Sequence, residues 1–182
     1  MLPVGLLMIE HRIIERMISL MILELKKINE ENKADLNFLS AALDFLKIYA
    51  DKCHHGKEED ILFNVLEQKS LSGKHKEMIK ELLQEHIASR GMVAGLIESR
   101  DRYGHGDNNA LKDISDSMHA LVQLYSQHIS KEDKSFFIPA MEYFNKQEQD
   151  KMIRDFRIFD RNFIHEVYKN ILKKWEFEKS NS

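Results

Sequence analysis

Four apolar stripes with helical spacing run through this chain, and each carries polar residues that a protein core ordinarily rejects. The first stripe is Leu7, His11, Ile14, Ile18, Met21, Leu25 and Ile28, in alternating steps of four and three. The second runs Phe38, Ala41, Phe45, Ile48, Lys52, His55, Glu59, Leu62 and Leu66. The third is Ile79, Leu82, His86, Ser89, Val93 and Leu96, and the fourth Leu111, Ile114, Met118, Leu121, Tyr125, His128, Glu132 and Phe136. Residues three and four apart share one face of an α-helix, so the spacing predicts four helices of about 25 residues and no strand. Breaks near Asn32-Lys33, Ser70 to Gly73, Gly104 to Asn109 and Pro139 separate them, and with only two prolines and seven glycines the helices can run uninterrupted. Helices of this length joined by short polar turns pack as an all-α, antiparallel up-and-down four-helix bundle.

Asn145, with Glu148 three residues on, has the form of a helix start and opens a fifth, amphipathic helix with the stripe Phe156, Phe159, Phe163, Val167 and Ile171. We therefore expect a bundle over residues 1–140 and an extension over 141–182 that lies against it or forms a homodimer contact. Lys52 spoils the second stripe, and the register there can slip by one residue to turn Tyr49 or Cys53 inward.

At 182 residues the chain is long enough for one good core. No apolar run reaches the roughly 18 residues of a membrane span. The apolar start, Met1 to Ile9, lacks a basic lead and runs into Glu10-His11-Arg12, so neither a signal peptide nor a membrane partner is expected and the chain reads as cytoplasmic. The single cysteine, Cys53, agrees with a reducing compartment. A net charge of -3 with interspersed signs gives no stripe for nucleic acid.

The polar residues on the stripes carry the chemistry. His-x-x-x-Glu-Asp-x-x-Phe occurs twice, at His55 to Phe63 and His128 to Phe136, each after an earlier Glu-His pair, Glu10-His11 and Glu85-His86. Two related halves thus each bring two histidines and one carboxylate to the inward faces. Burying an unpaired polar group costs a few kcal/mol. Six of them, His11, His55, Glu59, His86, His128 and Glu132, would overwhelm a net stability of about 5–15 kcal/mol unless they satisfy one another. A metal does this: neutral imidazoles donate lone pairs and carboxylates bring the compensating charge. A His and a Glu four apart lie one turn apart on one face, and a carboxylate can bridge two metals. Two octahedral ions offer about twelve positions, of which four histidines, two bridging glutamates and one shared oxygen leave roughly two open for small molecules.

Other residues compete for these roles. Glu15 stands four after His11 and is a rival ligand, although His86 has Arg90 at that offset. His54 and Glu58 repeat the spacing one residue earlier and read as flanking. Asp60 and Asp133 lie off the stripe and read as solvated. Tyr125 is a pocket lining or a core aromatic, Gly91 and Gly95 suggest close helix packing, and Cys53 reads as a small buried residue.

The order His, His-x-x-x-Glu, Glu-His, His-x-x-x-Glu resembles the hemerythrin-like, or HHE cation-binding, domain over about residues 4–140, with His55-Gly-Lys-Glu-Glu-Asp-Ile-Leu-Phe63 and His128-Ile-Ser-Lys-Glu-Asp133 closest to its signature segments. The resemblance implies a non-haem centre of two iron ions bridged by two carboxylates and an oxo or hydroxo group. It would make His11, His55, His86 and His128 terminal ligands and Glu59 and Glu132 bridges; the donor set alone suits manganese or zinc equally. Oxygen-carrying members place a second histidine where Arg90 stands here, so the four-histidine set is similar to the repair-of-iron-centres proteins. The expected function is binding of, or reaction with, oxygen, nitric oxide or peroxide in sensing or in oxidative or nitrosative stress defence. The alternatives are iron donation to or repair of iron–sulfur clusters, and a di-iron oxidase or peroxidase, for which Tyr125, Glu58 and Glu15 are the visible proton sources.

Overall fold

A computed structural model describes residues 2–160 and 164–180, with the side chains of residues 164–166 left aside. Among the described residues six helices form an all-α bundle. The first, α1, spans Pro3–Glu31; the second, α2, covers residues 36–67; the third, α3, spans Gly73–Gly104; and the fourth, α4, covers residues 110–140. They are followed by α5, Lys146–Phe159, and α6, Ile164–Ser180. Among the described residues no helix is long and apolar enough to cross a membrane.

Local signals set the helix ends. Pro3 sits in the first turn of α1, where its missing N–H is no loss, and α1 ends at Asn32 in the left-handed region (φ 52°). The Asp35 side chain accepts hydrogen bonds from the Asn37 and Phe38 backbone N–H groups to cap α2, and Ser72 caps α3 through the His75 N–H. Asn145 and Glu148 form the reciprocal capping box that opens α5.

The bundle's direction follows from two apolar clusters. One gathers Leu7, Leu62, Leu82 and Phe136; the other gathers Ile14, Tyr49, Val93 and Tyr125. Along α1 the chain passes from the first cluster to the second, along α2 it returns, and α3 and α4 repeat the alternation, which is the up-and-down topology. Every stripe position on α1, α3 and α4 is buried.

The second helix departs from the expected stripe. Phe45–His55 and Glu58–Phe63 are π-helical, and so is Glu132–Phe136 in α4. Such turns use i→i+5 hydrogen bonds and advance the inward face by about a residue. Lys52 is consequently exposed, while Tyr49 and Cys53 are buried. The break expected near Pro139 is found one residue on, where α4 ends at residue 140. The glycines of α3 mark no tight crossing, since a Cβ at Gly91 would meet nothing within 4 Å and one at Gly95 only Ser117 Oγ at 4.0 Å.

The extension forms two helices rather than one. Residues 161–163, including the stripe position Phe163, lie outside the described residues. The inward face of α6 is Tyr168, Leu172 and Trp175, whereas Val167 is exposed. Trp175 packs edge-on against Phe38, and Tyr168 against Phe45 and Tyr49. Polar contacts fasten the helix to the bundle: Arg16 holds Glu176 bidentately at 2.8 and 2.7 Å, Lys179 pairs with the buried Glu24, and Tyr168 donates to Asp44 at 2.9 Å.

Candidate metal centre

Between the two apolar clusters lies one polar layer. Two groups of ligand atoms converge there, each with its atoms within 4.8 Å of one another. His55, Glu58, His86 and His128 make the first, and His11, His54, Glu58 and Glu132 the second. All are buried. Glu58 belongs to both: Oε1 lies 3.4 Å from His54 Nε2, and Oε2 lies 3.4 Å from His86 Nε2. Glu132 Oε2 also spans the layer, 3.1 Å from His11 Nε2 and 3.3 Å from His128 Nε2. The layer therefore contains five imidazoles and two shared carboxylates.

Of the six residues expected from the sequence, His11, His55, His86, His128 and Glu132 meet in this layer. Glu59 stands outside both groups. Its carboxylate accepts hydrogen bonds from His86 Nδ1 and Arg90 Nη2, each at 2.7 Å. Glu58 takes the inward place, and His54 joins it, because the π-helical turns shift the face by a residue. The residues read as flanking are thus central. Glu15 points away, 3.1 Å from Arg12 and 45% exposed.

The histidine rings are held from behind by carboxylates. His11 Nδ1 donates to Asp133 at 2.7 Å, His54 Nδ1 to Glu10 at 2.9 Å, and His128 Nδ1 to Glu85 at 2.8 Å, in the same manner as His86 to Glu59. His55 Nδ1 is 3.5 Å from Asp51. Cations back these carboxylates in turn: Arg12 on Asp133, Lys57 on Glu10, Lys131 on Glu85 at 2.5 Å, and Arg90 on both Glu59 and Asp51. Asp133, off the stripe and expected in solvent, is therefore part of the site, whereas Asp60 is exposed. The Glu-His pairs now have a reason. In each, the histidine enters the layer while the glutamate holds a histidine on the following helix.

A carboxylate only accepts, so each of the four hydrogen-bonded Nδ1 atoms carries the proton, and the Nε2 of a neutral ring presents a lone pair. His86 Nε2 and His128 Nε2 face each other at 3.3 Å. Two lone pairs at that distance repel unless something electrophilic stands by them. Among the described residues, eight buried side-chain N and O atoms lack a hydrogen-bond partner. Seven are here: His11 Nε2, His54 Nε2, His55 Nδ1, both Glu58 oxygens and both Glu132 oxygens. Orphaned buried acceptors at this density are what a metal would satisfy. The donor set fits: imidazole nitrogens and carboxylate oxygens suit first-row transition metals, and two shared carboxylates suit a pair of them.

The electrostatics of the metal-free layer follow from burial. Desolvation and neighbouring positive rings hold His54 and His55 well below the ordinary histidine range. Burial would lower His11 too, but Asp133 and Glu132 override it and raise its pKa to about 9. Burial, reinforced by Glu132, pushes Glu58 well above the usual carboxylate range. At neutral pH, then, the metal-free layer keeps a proton on His11 that a cation must displace, and the upward shift of Glu58 opposes metal binding in the same sense. Metal uptake at pH 7 should release at least about one proton per chain. Apparent affinity should accordingly rise with pH toward about 9 and fall on acidification. Calorimetric titration in buffers of different ionisation enthalpy measures this, and an enthalpy independent of buffer would contradict it.

Aromatic rings wall the layer: Phe137 stacks on His11 at 5.4 Å, Phe63 on His86 at 6.2 Å and Tyr125 on His55 at 6.0 Å. Tyr125 also bounds a cavity of about 210 Å³, together with Leu46, Asp51, Ser89, Arg90 and Val93. Burial drives the Tyr125 phenol far above its ordinary range, so it stays neutral.

Comparison with curated proteins and with solved structures finds no match. A family model does match, the hemerythrin HHE cation binding domain, over residues 2–140. That range contains every residue of the two converging groups. With its all-α bundle and its layer of five histidines and two shared glutamates, the chain belongs to the hemerythrin HHE cation-binding domain family.

Proposed function

We propose that this metal-binding protein holds two iron ions with an oxo or hydroxo bridge, and that it binds a small molecule such as oxygen, nitric oxide or peroxide in cytoplasmic sensing or in oxidative or nitrosative stress defence. The observation that carries the reading is the asymmetry of the two groups. One offers three imidazoles, His55, His86 and His128, and the other only two, His11 and His54, while both share Glu58 and Glu132 Oε2 reaches a histidine of each. An ion on the two-imidazole side would therefore have one protein ligand fewer and could take up a small molecule. When bound, the ions would supply reversible affinity for a small electron-accepting or radical ligand. The chain's own residues hold the rings in one tautomer, shut out water with Phe63, Phe136 and Phe137, and keep the layer's charge balanced.

The fifth imidazole bears on the alternatives. Similarity to repair-of-iron-centres proteins rested on a four-histidine set, and His55 together with His54 supports a more fully protein-ligated centre instead. A di-iron oxidase or peroxidase would need a proton donor at the open side. Glu15 lies on the outer surface and Tyr125 lies beside His55, in the other group. Binding is therefore favoured over turnover, and iron donation would require labile ions.

The test is the metal content of protein purified without oxygen, with visible spectra before and after oxygen and then nitric oxide. About two irons per chain and a spectrum that responds to either gas is the expected result. One zinc per chain, or a spectrum indifferent to both gases, would overturn it.

A further inference from the structure

We propose that Asp160, at the end of α5 and beyond the family domain, is a positioning residue for the metal centre that acts through Lys57 and Glu10 on the ring of His54. The inference rests on the metal-binding reading above. Lys57 is fully buried, and a buried ammonium persists only where anions answer it. Two do: Glu10 from α1 and Asp160. The other oxygen of Glu10 accepts the His54 Nδ1–H at 2.9 Å. One chain of contacts thus runs from the C-terminal extension to the two-imidazole group, whose ion would have fewer protein ligands.

This support differs from that of the other rings. The cations behind Asp133 and Glu59 are Arg12 and Arg90, with side chains 55% and 40% exposed, and each comes from the bundle itself. Behind Glu10 the cation is buried, and part of its charge is drawn off by a residue the family domain does not contain. Glu10 therefore keeps more of its negative charge for His54, making that imidazole a stronger donor. Packing holds the contact in register. A Cβ at Gly56 would stand 2.8 Å from Phe159 Cζ, so the end of α5 seats on α2 at the one position where no side chain intervenes. Cys53, a turn earlier, donates its thiol to the same Asp160 carboxylate at 3.3 Å.

The experiment uses the full chain loaded with ferrous iron and reads iron content, helicity and midpoint potential for Asp160→Asn, Asp160→Glu, Lys57→Met and the double variant Lys57→Met/Asp160→Asn. Removing the Asp160 charge frees Lys57 to neutralise Glu10 and weakens His54 as a donor. Asp160→Asn should therefore keep its helicity and raise the midpoint potential, with about a tenfold change in the reduced-to-oxidised ratio, or about 59 mV for a one-electron couple. Asp160→Glu should restore it, and Asp155→Asn, which loses only a surface pair with Lys151 on the same helix, should leave it unchanged. In the Lys57→Met background the Asp160→Asn shift should largely vanish. A wild-type potential in Asp160→Asn, or an equal shift with and without Lys57, would overturn the relay. Should Lys57→Met not fold, the comparison of Asp160→Asn with Asp160→Glu and Asp155→Asn decides alone. A wild-type chain that takes up no iron would overturn the metal reading itself, and the relay with it.

Discussion

Glu58→Gln is expected to leave a folded, helical protein that retains no more than about one metal ion per chain, because the carboxylate that offers a separate oxygen to each group becomes a neutral amide. The neighbouring change, Glu59→Gln, should behave quite differently. Glu59 accepts hydrogen bonds from His86 Nδ1 and Arg90 at 2.7 Å without joining either group. Losing such a supporting carboxylate typically lowers metal affinity about 10–100-fold with the stoichiometry kept. Elemental analysis and competition with a chelator, run on both variants, measure the contrast. Equal metal loss in the two, or loss in Glu59→Gln alone, would contradict the placement of Glu58.

Metal removal should produce the second large effect. The metal-free layer leaves seven buried nitrogen and oxygen atoms without a hydrogen-bond partner, most of them facing one another across it. Binding at a free metal concentration a thousand times the dissociation constant stabilises the folded chain by about 4 kcal/mol. For a chain of this length that corresponds to a melting temperature higher by about 8–16 °C. The two apolar clusters flanking the layer are extensive, so the metal-free chain should keep its helices at room temperature. Thermal melts followed by circular dichroism, before and after chelation, check both parts. An unchanged melting temperature would mean that the layer holds no tightly bound metal. Unfolding on chelation would make the metal a staple of the fold.

Most of the fold was legible in the stripes, since α1, α3 and α4 are regular helices up to the layer and their apolar spacing maps directly onto burial. The site was legible where the helix remains regular. His128 and Glu132, four apart, both point inward because the π stretch of α4 begins only at Glu132. In α2 the π stretch begins at Phe45, before the ligands, so alternating steps of three and four counted from Phe45 name Glu59 where Glu58 turns in. Lys52 on an apolar stripe signalled that slip. The repeat itself left the register open by one residue, since His54-x-x-x-Glu58-Glu59 as well as His55-x-x-x-Glu59-Asp60 matches His128-x-x-x-Glu132-Asp133 as His, Glu and a following acid. In each half that following acid holds the histidine from the other half's Glu-His pair, His86 for Glu59 and His11 for Asp133. His55 has no such counterpart, its place in the second half being taken by the core residue Ile129. It enters the layer because the wider π turn brings two adjacent residues to one face. The extension was the least legible part. Its capping box was plain, but the division into α5 and α6 and the inward turn of Tyr168, Leu172 and Trp175 depend on packing against α1 and α2.

Anomalous diffraction at the iron edge from crystals of the loaded protein tests the central claim most directly. The account predicts two peaks about 3.5–4 Å apart, the separation of two-metal sites, with Glu58 and Glu132 between them, His55, His86 and His128 around one, and His11 and His54 around the other. A single peak, or two peaks with Glu59 rather than Glu58 between them, would contradict it.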